Sequence, residues 1–510
     1  MTKFSHNWIV TAWCLIAGFL VIGVWQGCGE KSGEMDAEII TRVGDRTITR
    51  TEFDRGYAFA PSSVKQGSPE NVKQRFLDGM IEEKLLAIAA EEHSLDGNPE
   101  LKRKLQYYED REIIRELYRR NVRKEITLSR EEIDDAFRKQ GIELHVRHLF
   151  TRDRETADSL RQLLEAGESF QSLAREVFSD PKLAESGGDL GMITWGDLDA
   201  GLEEAAFRVP VGEISAPVES RFGYHILRVE SRVRSGFQTV NEYVNRRESI
   251  ETVLRRRKEQ EKAHRFIQET MEPLNTELKG RPFWVLVDAI WSRMGPEPDT
   301  LKTLLRHDEL NFLHRELTDY RHAPLVTSTA RNWTVTEVLD LYRYHPMGLS
   351  LKSHSHLAAS LKNVIGILTR DSYLAELGRK RGLAKARQVQ ETRSQWRDRL
   401  LADQFRRLVY DSLTVSEKSA TAYYNRHKKE LKSQPGLQAV SRRYHQLPAA
   451  QKLKVKARAK QSLLRSVLEK ELTALRESVP VRINYGALEQ IRLPDANAPR
   501  KIDLVGTWLQ

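Results

Sequence analysis

Of the side chains that could do nucleophilic, acid–base or metal chemistry, the 14 histidines and 2 cysteines are scarce, and the motifs that would put them to such use are mostly missing. No Gly-x-Ser-x-Gly or His-Glu-x-x-His pattern occurs, so serine-hydrolase and zinc-protease mechanisms lack support. Two cysteines can build neither a disulfide scaffold nor a zinc ribbon. His354 and His356 stand two apart with no third ligand nearby, which predicts a solvated loop rather than a metal site. The run Gly187-Gly188-Asp189-Leu190-Gly191 is rich in turn residues, but no Lys-Ser/Thr follows it, so it is not a phosphate loop. Two strand-like segments also carry histidines, Leu144–Phe150 with His145 and His148 and Tyr224–Val229 with His225. A lone strand histidine is ordinarily a satisfied core residue. A site needs the elements between the two to bring them together.

Those elements are legible. Residues 144–150 alternate as a strand does. Helical patterns follow at 155–166 and 169–177, then a loop at Ser179-Asp180-Pro181 and the glycine turn, then a short helix over 202–207. Strand-like pieces at 214–219 and 224–229 close the segment. This predicts a mixed α+β domain over 141–235. On its N-terminal side, 36–140 reads as mostly helix after a short hairpin, and Ser129-Arg-Glu-Glu132 is a helix-start signature. A charged helix over 236–280 follows the mixed domain, and 281–510 stays largely helical.

Residues 143–232 closely resemble the parvulin family of peptidyl-prolyl cis-trans isomerases. The resemblance is carried by His148, Phe170, Leu173-Ala174, Ser179-Asp180, Gly187-Gly188-Asp189-Leu190-Gly191, Phe207, Gly212-Glu213-Ile214-Ser215, Pro217-Val218 and Phe222-Gly223-Tyr224-His225-Ile226, in family order and spacing. The helical flanks resemble the exported chaperone branch of that family, the SurA-like and PrsA-like proteins. The resemblance implies a small antiparallel sheet with helices, inserted between a helical module and a returning helix. It implies that His148 and His225 shape the site floor, that Asp180 lies near the substrate carbonyl, that Leu190, Leu198, Leu202 and Phe207 line an apolar proline pocket, and that Phe222 forms its rim. It implies no cofactor and no metal. Leu198 and Leu202 stand where many active members carry Met and Phe, and Pro181 where some carry Cys or Asp. Isomerisation needs no nucleophile. The amide barrier of about 18–20 kcal/mol comes from resonance, and a dry pocket that holds the twisted bond better than the planar one lowers it.

The N-terminus sets the compartment. Trp8–Trp25 is an uncharged apolar run of about 18 residues, generous for a signal-peptide core and marginal for a spanning helix. Gly27-Cys28 after it resembles a lipoprotein cleavage box, which predicts a signal peptide over 1–27, lipidation at Cys28 and a polar tether over 28–38. The alternatives are an uncleaved signal anchor and a buried core helix. The chain of 510 residues has net charge +10 and pI about 9.3. Export would keep it from nucleic acid, so the basic stretch 379–470 is either a solvated face or a face for anionic partners at the envelope. A gapless internal match of 80–95 on 368–383, continued by Tyr108 on Trp396 and, after a one-residue slip, by Ser129 on Ser416, predicts a second helical module in 281–510, with no second complete mixed domain. Thr47 is expected to pair with Thr334, and 443–447 to be a remnant strand. The whole reads as an envelope-tethered prolyl isomerase and chaperone on the periplasmic side, acting on unfolded exported proteins. The alternative is a non-catalytic holdase or envelope assembly factor.

Overall fold

The computed structural model describes residues 38–220, 223–234, 239–296, 303–433 and 443–493. Cys28, the signal and tether expectations for residues 1–37, and Phe222 lie outside the described residues.

The chain opens with a hairpin, β1 (Ile39–Val43) and β2 (Arg46–Thr49), then α1 (Arg50–Phe59), α2 (Pro69–Glu92), α3 (Pro99–Asn121) and α4 (Arg130–Gln140). An inserted domain follows: β3 (Ile142–Thr151), α5 (Arg154–Glu165), α6 (Phe170–Val177), α7 (Pro181–Ser186), β4 (Asp189–Ile193), α8 (Ala200–Arg208), β5 (Val218–Ser220) and β6 (Gly223–Arg234). A long helix returns, α9 (Val240–Met271), and leads to β7 (Glu277–Leu278), α10 (Gly280–Met294) and α11 (His307–Glu316). Then the opening pattern recurs: β8 (Pro324–Thr327), β9 (Trp333–Thr334), α12 (Val335–Tyr344), α13 (His354–Lys380), α14 (Arg387–Ser412) and α15 (Glu417–Lys432). A second return helix, α16 (Ala449–Ser478), ends in β10 (Val481–Ile483) and α17 (Tyr485–Glu489).

The recurrence is set by equivalent caps. Thr49 and Thr334 each accept a hydrogen bond from the amide three residues on, at Glu52 and Glu337, and so start α1 and α12. The equivalent of Thr334 is therefore Thr49, two residues beyond the sequence match to Thr47. Ser94 and Gly382 both take the left-handed conformation that ends α2 and α13. Ser129 and Ser416 cap α4 and α15 in the same way. Where the first module carries the inserted domain between α4 and α9, the second has only residues 433–448. Tyr444–Gln446 is a single 3-10 turn, not a strand remnant, and it buries Tyr444 and Leu447 together against Ala420, Tyr424 and Val455. Similarly, His354 and His356 open α13 under the Ser353 cap rather than lying in a loop.

The described residues form two compact units: residues 38–89 with 408–493, and residues 90–407. In the first, β1 sits between β2 and β10, with Thr41 opposite Ile483 and Val43 opposite Val481. In the second, β8 sits between β9 and β7, with Leu278 opposite Val326. Each hairpin thus takes its third strand from the segment after the other module's return helix. The second unit also packs α3 on α13, where Gly378 is obligatory because a Cβ would lie 2.2 Å from Ile113 Cγ2. Tyr108 stacks on its repeat equivalent Trp396, with ring centroids 3.4 Å apart and planes within 6°. Among the described residues no helix is long and apolar enough to cross a membrane.

A chain ended at Ser478 loses β10 and leaves β1 with an unpaired edge. Hydrogen exchange of the 39–43 amides is expected to speed up by about tenfold or more, while the 324–327 amides keep their rate. Unchanged protection of 39–43 would contradict the pairing.

Candidate active site

The inserted domain is a four-stranded antiparallel sheet in the order β4-β3-β6-β5. Its centre is the β3–β6 pair, which sets Phe150 opposite His225 and His148 opposite Leu227. Alternation sends His148 and His225 to one face, where their Nδ1 atoms lie 3.3 Å apart and their rings are near parallel, with centroids at 5.5 Å. On the other face Leu149 and Ile226 pack under α5 and α6 with Leu160, Phe170 and Leu173.

The turn beside the pair depends on two glycines. Asp180 caps α7, accepting from the Lys182 and Leu183 amides, and Pro181 fills the first helical position. The expected loop at 179–181 is therefore a helix start. Gly187 and Gly188 then both adopt positive φ, +71° and +70°. This turns the chain back so that the Gly188 carbonyl accepts from the His148 amide at 2.8 Å. A Cβ on Gly188 would lie 1.9 Å from the His148 carbonyl oxygen, so no other residue fits.

The imidazoles form a short chain with defined donors. Ser220 donates from Oγ to the Gly223 carbonyl at 3.2 Å and lies 2.9 Å from His225 Nε2. His225 then donates from Nε2 to Ser220 and accepts at Nδ1 from His148. That leaves His148 Nε2 as a bare acceptor, buried and without a partner among the described residues. Burial first, and then the neighbouring His225 ring, hold His148 down to about 4. Burial also lowers His225, against an opposing pull from Asp199. Both rings are neutral at physiological pH. Phe178 and Phe150 pack against them, with centroids 5.2 Å from His148 and 5.0 Å from His225.

Of the residues singled out in the sequence, His148 and His225 meet. Leu190, Leu198, Leu202 and Phe207 gather in one apolar cluster with Val146 and Leu227, on the histidine face of the sheet. Asp180 is exposed, and its hydrogen bonds among the described residues go to α7 amides rather than to an imidazole. Phe222 is outside the described residues. Sequence reasoning missed Ser220 and an ionic brace. In the brace, Asp189 takes His145 at 2.8 Å, Arg147 at 3.4 Å and the Gly191 amide at 2.7 Å, while Arg147 also reaches Glu230 at 3.1 Å and the Ser186 carbonyl. Partial burial alone would raise Asp189. The Gly191 amide, His145 and Arg147 outweigh it and keep the carboxylate below its usual range. The alternation of His145 and Arg147 with buried Leu144 and Val146 was the available signal.

The domain is seated on the α4–α9 hairpin. Trp195 is buried with Ile133, Ala136 and Ile250. Arg257 of α9 pairs at 2.8 Å with Glu203, only 2% exposed, covers the Trp195 ring at 4.9 Å, and donates to the Leu198 carbonyl at 3.3 Å. The return helix thus fixes the backbone of a pocket residue.

Comparison with known proteins finds two family models. Residues 151–231 match the PPIC-type PPIase (rotamase) domain, and residues 1–140 match the SurA-like N-terminal domain. Foldase protein PrsA of Oceanobacillus iheyensis is 32% identical over 158 residues, 30% of this chain and 52% of that protein. The chain therefore spans about half the length of that relative. PrsA of Caldanaerobacter subterraneus is 26% identical over 259 residues, 44% of this chain and 84% of that protein. Among solved structures, PrsA of Bacillus anthracis shares 25% identity over 27% of this chain and 64% of its own, at a TM-score of 0.22. The parvuline of Nitrosopumilus maritimus shares 35% over 18% of this chain and 96% of its own, at 0.17.

Two outcomes follow from the geometry. In the unfolded chain a histidine takes its proton near pH 6.5, whereas native His148 stays neutral down to about 4. The unfolded state binds the proton first as pH falls, so this site costs stability between pH 6.5 and 4, about 3 kcal/mol in all. Urea unfolding at pH 7 and 4.5 is expected to show that loss, and His148→Phe to remove it. Arg257→Ala strands buried Glu203 and is expected to destabilise the domain by about 3 kcal/mol, with Arg257→Ala/Glu203→Leu recovering most of it.

Proposed function

We propose that this chain, which carries a PPIC-type peptidyl-prolyl isomerase domain behind a SurA-like N-terminal domain, is a prolyl isomerase and chaperone for unfolded exported proteins. The observation that carries the reading is the neutral His148–His225 pair beside the apolar cluster of Leu190, Leu198, Leu202 and Phe207. Nothing in this arrangement forms a covalent bond to substrate, and none is needed. A proline ring held against leucines loses water, and the resonance-stabilised planar amide loses its solvation advantage over the twisted form. Neutral imidazoles add no charge that would favour the more polar planar state. His148 Nε2, a buried acceptor without a partner, offers a substrate N–H a bond that removes its own desolvation cost. His148 and His225 form the floor, and the leucines and Phe207 bind the ring. Asp180 orients the carbonyl side through the α7 start rather than by direct contact.

The same chain is held at a membrane of the envelope, on the periplasmic side, through a lipid on Cys28 after removal of 1–27 or through the Trp8–Trp25 run itself, so that clients reach it after export. The helical modules bind unfolded segments, and the inserted domain acts on their Xaa-Pro bonds. A non-catalytic holdase is the second reading. It is favoured by Leu at 198 and 202, which keeps the pocket apolar without an aromatic face, and by the engagement of Asp180 in a helix cap.

Exchange spectroscopy of a short Xaa-Pro peptide with the full chain separates these readings. Acceleration over buffer is expected, with a loss of about tenfold or more for Leu190→Asp and for the double replacement of His148 and His225 by Ala. No acceleration by the unmodified chain, with suppression of aggregation intact, would leave only the holdase.

A further inference from the structure

The repeat supplies an internal control for surface charge. The α4–α9 hairpin of the first module carries eleven Lys/Arg against ten Asp/Glu, and its acids are engaged in pairs such as Lys258–Glu132 and Arg123–Glu259. The equivalent α15–α16 hairpin carries thirteen Lys/Arg against five Asp/Glu. The architecture therefore folds with a near-neutral surface, and the excess on the second hairpin, most of the whole chain's +10, is not a requirement of folding.

The excess is ordered. On α15, Lys418, Arg426, Lys429 and Lys432 are exposed and fall on one face, opposite buried Ala420, Tyr424 and Leu431. On α16, Lys454, Arg458 and Arg465 are exposed and share a face at four- and seven-residue steps, away from buried Val455 and Ala459. Leu453, 68% exposed, and Leu463, 39%, lie on other faces of α16 than this stripe. Lys460 lies over the Tyr410 ring of α14 at 4.1 Å and Lys456 pairs with Glu417 of α15, so these intervening cations bind α16 to its neighbours while the stripes stay exposed. Basic stripes on an exposed hairpin match an anionic bilayer surface, whose headgroups take the charge, and the membrane contact proposed for the N-terminus supplies such a surface.

We infer that the α15–α16 hairpin is a docking surface for an anionic lipid bilayer, a second point of membrane contact besides the N-terminus. This rests on the reading that the chain works at a membrane. Two contacts separated along the chain would lay the molecule against the bilayer instead of letting it swing on its tether.

The test is lysine acetylation footprinting by mass spectrometry of the full chain reconstituted on vesicles. One set is phosphatidylcholine alone and the other contains phosphatidylglycerol in addition. Labelling of Lys418, Lys429, Lys432 and Lys454 is expected to fall about fivefold or more on the anionic vesicles only, with exposed Lys182 of α7 unchanged, and to recover in high salt. The variant Lys429→Gln/Lys432→Gln/Lys454→Gln is expected to restore labelling at Lys418. Equal protection on both vesicle types, or none, overturns the proposal. So does protection by a short RNA or an acidic unfolded polypeptide without any by lipid. Peptide isomerisation measured on the same samples keeps the two readings apart, since the variant is expected to leave it unchanged, and its absence would sink the isomerase reading alone.

Discussion

The inserted domain depends on one backbone contact, the hydrogen bond from the His148 amide to the Gly188 carbonyl. It ties the turn after α7 to the central strand with no side chain between them. Only a residue without Cβ fits there, and only a left-handed pair can follow a six-residue helix and return so sharply. From that contact the rest is positioned. Strand β4 pairs with β3, Leu190 enters the apolar cluster, and Asp189 meets His145 and Arg147. The chain of Ser220, His225 and His148 then stands in a fixed tautomeric order beside the cluster. A site that works by shape and dryness needs this stiffness more than it needs reactive groups.

The elements around the domain repeat the same economy at larger scale. One helical plan, hairpin then three or four helices then a long return, is used twice, and the two uses differ in what fills the gap before the return helix. In the first, a whole domain is seated there through Trp195 and Arg257. In the second, Tyr444 and Leu447 fill the equivalent position on the hairpin. The division of labour between a chemical module and a charged one follows from that difference.

Legibility in the sequence tracked the range of the interactions. Period-two alternation at 144–150 and the serine caps at 129 and 169 are local signals, and they lie where the structure has β3, α4 and α6. Asp180-Pro181 was equally local but read as a loop, because a six-residue helix is too short to show periodicity. His354 and His356 were misjudged for a related reason: the Ser353 cap, not the histidines, marked the helix. Ser220 carried no signal, since its function lies in a neighbour five residues away on the paired strand β6. The exchange of third strands was invisible. β7 and β10 are two and three residues long, and nothing in Glu277-Leu278 or Val481–Ile483 names its partner. The Thr47 match failed by two residues because apolar alternation repeats every second position, and only the cap hydrogen bonds break that degeneracy.

The exchange of strands has a temporal side. Val43 is made among the first residues of the folded part and Val481 among the last, and β1 has no outer neighbour until β10 exists. At ribosomal speeds of roughly 5–20 residues per second, the interval is on the order of 20–90 s. During that time the hairpin shows a bare row of amides and carbonyls, an edge open to pairing with other chains. Closure of the first unit therefore waits on residues made more than four hundred positions after β1, and a chain that ends before Val481 keeps that edge of β1 open.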